Sequence, residues 1–183
     1  MILCKFVEKI QLTMRIIRKS TTAHIEALME LSAQARGIMR ASSNVLQWAD
    51  GYPQRELFLD DIDHGNSYLM EDDGVAVGAF TLIVAPDPTY AKIYHGAWVD
   101  DEHPYGVVHR ICSRPQAHGV FSSIMEFCFA QIGNVRIDTH RDNHIMRHLL
   151  ARHGFHYCGI IYLSNGDERL AFQKVLPCKG AGK

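Results

Sequence analysis

The feature that most limits the folds open to this chain is an abrupt change of hydrophobic period in its second half. Residues 105–112 are apolar and strand-like, whereas from 120 to 132 the apolar residues share one face of a helix. The stretch "RPQAHGVF" joins these two segments and places Gly119 directly before the helix. A strand, a turn with glycine and a helix in succession predict an α/β protein.

The whole chain predicts the element order β, α, α, β, β, β, α, β, α, β, β. One helix is predicted over 22–35, a weaker helical pattern runs over 37–47, and Pro53 is the expected first residue of the next helix. Asp73-Gly74 and Asn165-Gly166 predict hairpins, because such dipeptides tolerate the positive φ angles of tight turns.

A further helix is predicted from about 143 to 153, with Asp142 as its cap and Gly154 at its end. Because helix-bearing crossovers join parallel neighbours, we expect a mixed α/β fold. Its twisted sheet should be partly antiparallel and partly parallel.

Composition indicates one globular domain with reduced thiols. The chain has 183 residues, of which 47% are hydrophobic, and a formal net charge of -1, which argues against a nucleic-acid binder or a polybasic membrane anchor. The five cysteines show no CxxC pairing, and no apolar run is long enough to span a bilayer. We expect a cytoplasmic protein with an N-terminal extension (1–13), one domain (14–174) and a C-terminal tail (175–183).

The junction before the second-half helix has the properties of an anion site. The N–H groups of a helix's first turn lack intrahelical partners and carry the positive end of the dipole, and Gly119 removes a side chain that would block close approach. A pyrophosphate suits such a concavity. Val120 and Phe121 follow Gly119 where a nucleotide P-loop has GK[ST], and a dinucleotide fingerprint needs three glycines.

Two motifs in order resemble the GNAT family of N-acetyltransferases. "QAHGVF" is similar to the family's Q/R-x-x-G-x-G/A, with Phe121 where Gly or Ala is usual. "NHIMRHLLARHGF" resembles N-x-x-A-x-x-L-Y-x-x-x-G-F, with Leu150 in place of the tyrosine. "VHRICS" and "RIDTHRDN", on the strands before these motifs, also resemble a subset of the family. The resemblance covers about residues 14–174.

The resemblance implies a GNAT-like sheet flanked by helices on both faces, and transfer of an acetyl group from acetyl-CoA to an amine by direct attack on the thioester. Two strands would splay apart to admit the pantetheine arm of the cofactor, and Asn143 would lie near that arm or the thioester. The main-chain groups implied for the arm are those of Ile111, Cys112 and Ser113. Those implied for the pyrophosphate are the N–H groups of Gln116, Ala117, His118, Gly119, Val120 and Phe121.

The titratable side chains on the two strands that border the expected gap are His109, Asp138 and His140, and we expect the general base among them. A backbone N–H near Ile111 or Cys112 is the candidate oxyanion donor. The role of the tyrosine that Leu150 replaces would fall to Tyr162, to His140 or to solvent.

The acceptor side has weaker signals. Trp48 and Tyr52 are candidates for lining a substrate pocket, with Asp61 as a minor candidate for contacting an amine. The acceptor is either a small-molecule amine or a protein amine. No nucleic acid or membrane partner is expected, and a homodimer through the C-terminal hairpin is plausible.

Several alternatives stay open at the level of sequence. Phe121 either narrows the pyrophosphate site or packs in the core, and Cys112 is either a buried strand residue or a nucleophile. His140, His144 and His148 recur every four residues without a completing ligand set, so no metal is expected. The alternative function is a non-catalytic acyl-CoA binding or sensing domain of the same fold.

Overall fold

The computed structural model describes residues 14–177, so the predicted N-terminal extension and most of the predicted tail lie outside the described residues. The described elements follow the predicted order: β1 (Arg15–Lys19), α1 (Ile25–Ala41), α2 (Arg55–Asp63), β2 (Ser67–Asp72), β3 (Val75–Ile83), β4 (Gly106–Ser113), α3 (Val120–Gln131), β5 (Asn134–Thr139), α4 (His144–Arg152), β6 (His156–Tyr162) and β7 (Glu168–Val175). The N–H of Leu176 donates to the carbonyl of Gly133 at 2.7 Å, so ordered contacts continue just past the predicted domain end at 174.

The seven strands form one sheet in the order β1-β2-β3-β4-β5-β7-β6, in which β4 and β5 pair in parallel and all other neighbours are antiparallel. The mixed sheet is as predicted, but the rule that helix-bearing crossovers join parallel neighbours is wrong here in two places. Two helices separate β1 from β2, so the chain reverses once more and the strands pair antiparallel. After α4 the chain skips one strand position in the sheet, so β6 is not adjacent to β5. The last strand, β7, then lies between them.

Successive side chains of a strand point to opposite faces of the sheet, and helices cover both of these faces. On one face, α1 and α2 bury Leu28 and Phe58 against Leu69 and Ala79. On the other face, α3 and α4 form the larger core with strand residues of the opposite alternation. This core includes Met70, Phe80, Val108, Phe121, Ile124, Ile137 and Leu150. The predicted fold class is therefore confirmed.

The centre of the sheet opens between β4 and β5. The two strands pair only through Gly106 with Val135 and Val107 with Arg136 over their described length, and beyond that point they diverge. The remaining edge of β4 faces no strand, so its main-chain groups are available to a ligand.

A long segment over 84–105 joins β3 to β4 and packs against the sheet next to this opening. Arg136 of β5 lies between the rings of Trp98 and Tyr105, with its Cζ 4.0 and 3.7 Å from their centroids. The side chain of Gln173 accepts the N–H of Val99 at 2.6 Å and donates to the carbonyl of Asp100 at 2.7 Å. Sequence alone predicts only a loop here, yet these contacts fix its path.

The predicted turns are confirmed, whereas several helix ends differ. Asp73 and Gly74 have φ of 50° and 81° in the β2–β3 hairpin, as a two-residue turn of this type requires. The cap of α4 is Asn143 and not Asp142, because its side-chain oxygen accepts the N–H of Met146 at 3.0 Å. The first helix runs on to Ala41, and α2 begins at Arg55 and not at Pro53.

Within residues 14–177, no helix is long and apolar enough to cross a membrane.

Candidate functional site

Two cavities meet at the opening between β4 and β5. The smaller, about 390 Å³, lies against the first turn of α3 and the length of α4. The larger, about 1140 Å³, lies between the loop after α1, α2, the segment 84–105 and the β6–β7 turn. Met39, Ile111 and Met146 line both. The two cavities therefore adjoin at these residues.

The smaller cavity contains the predicted anion site. Gly119 has φ of 69°, a left-handed conformation that favours glycine, and α3 starts directly after it. The N–H groups of the first helical turn lack intrahelical partners and face this end of the cavity. Arg15 lies beside the loop, with its Nη1 3.2 Å from the hydroxyl of Ser123.

Not every predicted residue of this loop contributes equally. The side chains of Gln116 and His118 are exposed and are absent from the described lining of the smaller cavity, which leaves only their main chain as a ligand contact. The N–H of Ala117 already donates to the carbonyl of Arg114 at 3.1 Å, so a phosphate would have to compete with this bond for it. Val120 and Phe121 lie at the helix start as expected.

Phe121 packs in the core and does not close the loop. Its side chain is buried beside Met125, and its ring meets the His153 ring edge to face at 4.8 Å. The ring forms part of the cavity wall between α3 and α4. Of the two alternatives for this residue, the structure therefore has the core packing.

Successive residues of β4 at the junction of the two cavities direct their backbone N–H groups to opposite sides of the strand. The N–H of Arg114 donates to the carbonyl of Val77 on β3, so strand alternation directs the N–H of Cys112 to β3 as well and those of Ile111 and Ser113 to the open side. The thiol of Cys112 is buried, and burial raises its pKa to about 12. Of the two alternatives for Cys112, the structure favours the buried strand residue, because a buried neutral thiol is a poor nucleophile.

Asn143 lines the smaller cavity and is buried. Besides capping α4, it donates from its side-chain nitrogen to the Gln47 amide oxygen at 2.8 Å. Gln47 also accepts from the side chain of Asn44 at 3.0 Å. These contacts tie the loop after α1 to the start of α4, where the two cavities meet.

His109 lines the larger cavity and lies between two carboxylates. Its Nε2 lies 3.0 Å from Oδ2 of Asp87, and its Nδ1 lies 3.9 Å from Oδ1 of Asp138. The Tyr90 hydroxyl donates to Asp138 at 2.5 Å. An ionised carboxylate only accepts hydrogen bonds, so Asp87 fixes the proton of the neutral imidazole on Nε2 and leaves the lone pair on Nδ1.

Burial alone would raise the pKa of Asp87, but hydrogen bonds from His109 and from the N–H of Thr89 bring it below its ordinary value. The stability that Asp87 contributes is then fully present above about pH 4 and is lost as the pH falls through the pKa of Asp87 in the folded protein.

We expect the difference in unfolding free energy between the wild type and Asp87→Asn to shrink on acidification. Urea unfolding between about pH 5 and pH 3 measures it. A difference that grows with acidity would contradict this account.

His140 is a hydrogen-bond donor and not a free base. Its Nδ1 accepts the N–H of Asp142 at 3.2 Å, which puts the proton of the neutral ring on Nε2. Burial lowers the pKa of His140, and the charges of Arg169 and Arg141 lower it further, against the opposing effect of Asp142. Near neutral pH this ring can donate to a ligand in the larger cavity but offers no lone pair from Nε2.

The two predicted aromatic residues line the larger cavity together. The rings of Trp48 and Tyr52 meet edge to face at 6.0 Å. Asp61, the minor candidate for contacting an amine, is instead 4% exposed and forms an ion pair with Arg110 at 2.5 Å. Its carboxylate therefore has a partner within the protein.

Tyr162 does not join the other candidates. It lies on β6, separated from β5 by β7, and its half-exposed ring packs edge to face on Tyr94 at 5.1 Å. It is absent from the described lining of both cavities, so the structure does not bring it to the other candidates. Leu150, at the position of the family tyrosine, is completely buried.

His144 and His148 are exposed on α4 and do not gather with His140. Across the part of the chain that the structure describes, no group of three or more His, Cys, Asp or Glu side chains is arranged to hold a metal ion.

Sequence reasoning missed Asp87, Tyr90 and Arg110. Asp87 precedes a proline and its Oδ1 accepts the N–H of Thr89 at 2.8 Å, which is a turn pattern that sequence alone can recognise. That pattern predicts a turn, however, and carries no information about contact with a histidine 22 positions later.

Comparison with known proteins decides the family. Neither protein-family models nor curated proteins gave a match to this chain. Among solved structures, a GNAT-family acetyltransferase from Streptococcus agalactiae is 31% identical, with a TM-score of 0.80, over 89% of this chain and 96% of that one. The chain belongs to the GNAT family of acetyltransferases.

Two further GNAT-fold structures are similar at lower identity. A GNAT-family acetyltransferase from Listeria monocytogenes has a TM-score of 0.65 at 18% identity and covers 88% of this chain and 95% of that one. The NatC complex bound to Gag peptide and CoA includes a chain with a TM-score of 0.59 at 9% identity, with 89% of this chain and 99% of that chain covered. At these identities the likeness concerns the fold alone.

Proposed function

We propose that this GNAT protein transfers an acetyl group from acetyl-CoA to a primary amine by direct attack of the amine on the thioester. The observation that carries the proposal is the opposite charge of two cavities that meet at Ile111. The described residues that line the smaller cavity include Arg152 but no carboxylate. Those that line the larger cavity include eight carboxylates and three arginines, although the whole chain has a net charge of only -1.

The smaller cavity suits the cofactor. The unpaired N–H groups at the start of α3, together with Arg152, favour a pyrophosphate, whereas Arg15 beside the loop is already paired with Asp72. The open main-chain edge of β4 at Ile111 and Ser113 suits the amides of a pantetheine arm, because amide groups pair with an unpaired strand edge. The NatC structure named above, which is similar in fold, contains CoA, and this supports CoA as the ligand.

The chemistry then needs a base, an oxyanion donor and a leaving group. Nδ1 of His109 takes a proton from the attacking nitrogen, and Asp87 stabilises the resulting imidazolium through Nε2. The N–H of Ile111, on the open side of β4, donates to the oxyanion. The new C–N bond forms as the C–S bond breaks, and the thiolate takes its proton from solvent, since the leucine at position 150 has no proton to donate.

The acceptor is expected to carry positive charge. Excess carboxylates attract cationic molecules and raise their local concentration, and salt screens this attraction. The volume of the larger cavity, about 1140 Å³, exceeds the roughly 300–1000 Å³ of ordinary small-molecule pockets.

Because the carboxylates of the larger cavity attract cations, the kcat/KM for a cationic amine should exceed that for an acidic amine of equal size. The advantage should shrink as salt is added.

Two measurements on the purified protein test the proposal. Calorimetric titration with acetyl-CoA, with ATP and NAD as controls, tests binding, and release of free thiol in the presence of a panel of amines tests turnover. Binding of acetyl-CoA alone with amine-dependent thiol release supports the proposal. Binding without thiol release would favour an acyl-CoA binding domain, a candidate to which the buried Leu150 lends support.

Gly119→Ala probes the pyrophosphate loop. A Cβ there meets only Nη1 of Arg15, at the ordinary contact distance of 3.6 Å, but the positive φ costs a non-glycine residue about 1–2 kcal/mol of stability. We expect the methyl group to weaken acetyl-CoA binding by about tenfold, equivalent to about 1.4 kcal/mol. Alanine is a sharper probe than valine, because a β-branched side chain would add further strain at this positive φ.

The matched control for this test is Gly133→Ala, since an added Cβ at Gly133 meets no atom within 4 Å and the residue has no positive φ. Its acetyl-CoA affinity should equal that of the wild type. Thermal unfolding of both variants separates the two effects. If Gly119→Ala lost stability but bound acetyl-CoA normally, the loop would be structural only.

A further inference from the structure

We infer that the Arg110–Asp61 ion pair positions the Ile111 N–H against the thioester carbonyl. The inference rests on the proposed function, since it concerns the oxyanion donor assigned there. Arg110 directly precedes Ile111, and Asp61 lies on α2, which packs on the opposite side of the sheet from α3. Both are positioning residues in this account, because neither is assigned a contact with the reacting atoms.

The backbone at Arg110 departs from a regular strand. β4 pairs with β3 through Cys112 with Ala79 and His109 with Thr81, so β4 has one more residue than β3 between these pairs. Arg110 has φ of 52°, a left-handed conformation that an arginine rarely adopts. The Ile111 N–H belongs to the peptide group that directly follows Arg110, so the bulge fixes how that N–H is held on the open side of β4.

The Arg110 side chain supplies the contacts that hold this conformation. Its Nε and Nη2 donate to the two oxygens of Asp61 at 2.7 and 2.5 Å, a bidentate arrangement. Nε also lies 3.2 Å from the hydroxyl of Thr81, which itself donates to Asp61 at 2.9 Å. The bulge is thereby fixed to β3 and to α2 at once.

Both side chains of the pair are almost fully excluded from solvent, so a change in the geometry of the pair costs free energy. The side chain of Arg110 is 9% exposed and that of Asp61 is 4% exposed. Burial alone would lower the pKa of Arg110, but the charge of Asp61 and contact with the Tyr52 hydroxyl raise it above its ordinary value. Removing one partner would leave the other charge buried and unpaired, so the structure near the bulge would have to rearrange.

The remaining contacts of Arg110 argue against direct contact with the acceptor. Nη1 lies 3.5 Å from the Tyr52 hydroxyl, and the other guanidinium nitrogens face Asp61. The planar fork has one favoured orientation toward a carboxylate, which a lysine cannot reproduce. Arg110 therefore acts on the reaction through the backbone of its neighbour.

The test compares the wild type with Arg110→Lys and Asp61→Asn. The decisive readout is the infrared carbonyl frequency of acetyl-CoA labelled with ¹³C at the acetyl carbonyl, measured in the complex without any acceptor. In the wild type, donation from Ile111 should move the band to lower frequency than in free acetyl-CoA. In both variants the band should return toward the free position, with acetyl-CoA affinity within about twofold of the wild type and kcat lowered about 10- to 100-fold.

Two further samples make the result specific. Arg55→Lys alters an exposed ion pair between α2 and α1, with Glu26, and should leave the carbonyl frequency and kcat unchanged. Arg110→Ala should regain part of its kcat when ethylguanidinium is added, because the cation can occupy the vacated site beside Asp61. Thermal unfolding of each variant is recorded alongside.

The outcomes separate the inference from the proposed function. If wild-type protein did not bind acetyl-CoA, the proposed function would fail first. If it bound, and both Arg110→Lys and Asp61→Asn kept the wild-type carbonyl frequency and kcat, the pair would be structural and the inference would be overturned. Lower thermal stability with an unshifted band counts as that second result.

Discussion

Replacing His109 with glutamine should lower kcat/KM for amine acetylation by about 10²–10⁴-fold, the range typical for loss of a positioned general base. Glutamine keeps a polar side chain next to Asp87 but has no group that accepts a proton near neutral pH. The affinity for acetyl-CoA should be unchanged, because His109 lines the larger cavity and is not among the residues that line the smaller one. Steady-state kinetics and calorimetric titration measure the two quantities.

The matched control is His148→Gln, which changes an exposed histidine on α4 and should leave both quantities unaltered.

The variant Asp87→Asn tests the contact that orients the His109 ring. An asparagine can present its amide N–H to Nε2, which would favour the tautomer with its proton on Nδ1 and remove the lone pair from the acceptor side. Its kcat should therefore also fall, although the imidazole remains. A His109→Gln variant with wild-type kcat would assign proton removal to water and overturn the role of His109.

The parts of the fold that depend on local sequence are predictable. The helices bury one face each, so their hydrophobic period is visible in the chain, and the hairpin at Asp73-Gly74 follows from two residues alone. The predicted α4 cap is one residue too early, since Asp142 and Asn143 are both good caps and only the fold selects one. The antiparallel pairing of β1 with β2 depends on how two helices return the chain, which periodicity does not encode.

The candidate site divides in the same way. The pyrophosphate loop lies within a few residues of Gly119, so its strand, turn and helix start can be identified from one stretch of sequence. The groups around His109 come from separate parts of the chain, and Asp87 reaches it only because the segment 84–105 takes a defined path. Tyr162, named as one possible replacement for the family tyrosine, lies on β6, which β7 separates from β5, and strand order in a sheet is not visible in the sequence.

The path of that segment depends on Arg136, and Arg136→Ala should be the most destabilising of these changes. The guanidinium is completely buried between Trp98 and Tyr105, and its Nη2 donates to the carbonyl of Asp100 at 2.9 Å. Truncation removes two cation–π contacts, leaves a cavity and leaves that carbonyl without its arginine donor. We expect a loss of about 3–5 kcal/mol, or about 10 °C in Tm for a chain of this size.

Two control variants distinguish the contribution of a buried cation to stability from that of an ion pair on the surface. Arg136→Lys keeps a cation and an aliphatic stem between the rings but loses the planar stacking, so about half of the stability loss is expected. Arg18→Ala removes an ion pair with Glu71 in which the arginine is half-exposed, and it should cost far less stability than Arg136→Ala, because solvent screens exposed pairs. A loss at Arg136→Ala no larger than that at Arg18→Ala would show that the ring contacts contribute little.

The Arg136→Lys variant also links stability to the candidate site. Tyr90 and Asp87 are carried by the segment that Trp98 and Tyr105 anchor, and they contact Asp138 and His109 respectively. Loosening the anchor should therefore lower kcat at temperatures where the variant is still folded, while acetyl-CoA affinity stays the same because the smaller cavity is built from other elements. Circular dichroism, calorimetric titration and amine-dependent thiol release at about 25 °C measure the three quantities. Equal kcat in Arg136→Lys and wild type would mean that Asp87 keeps its place without this anchor.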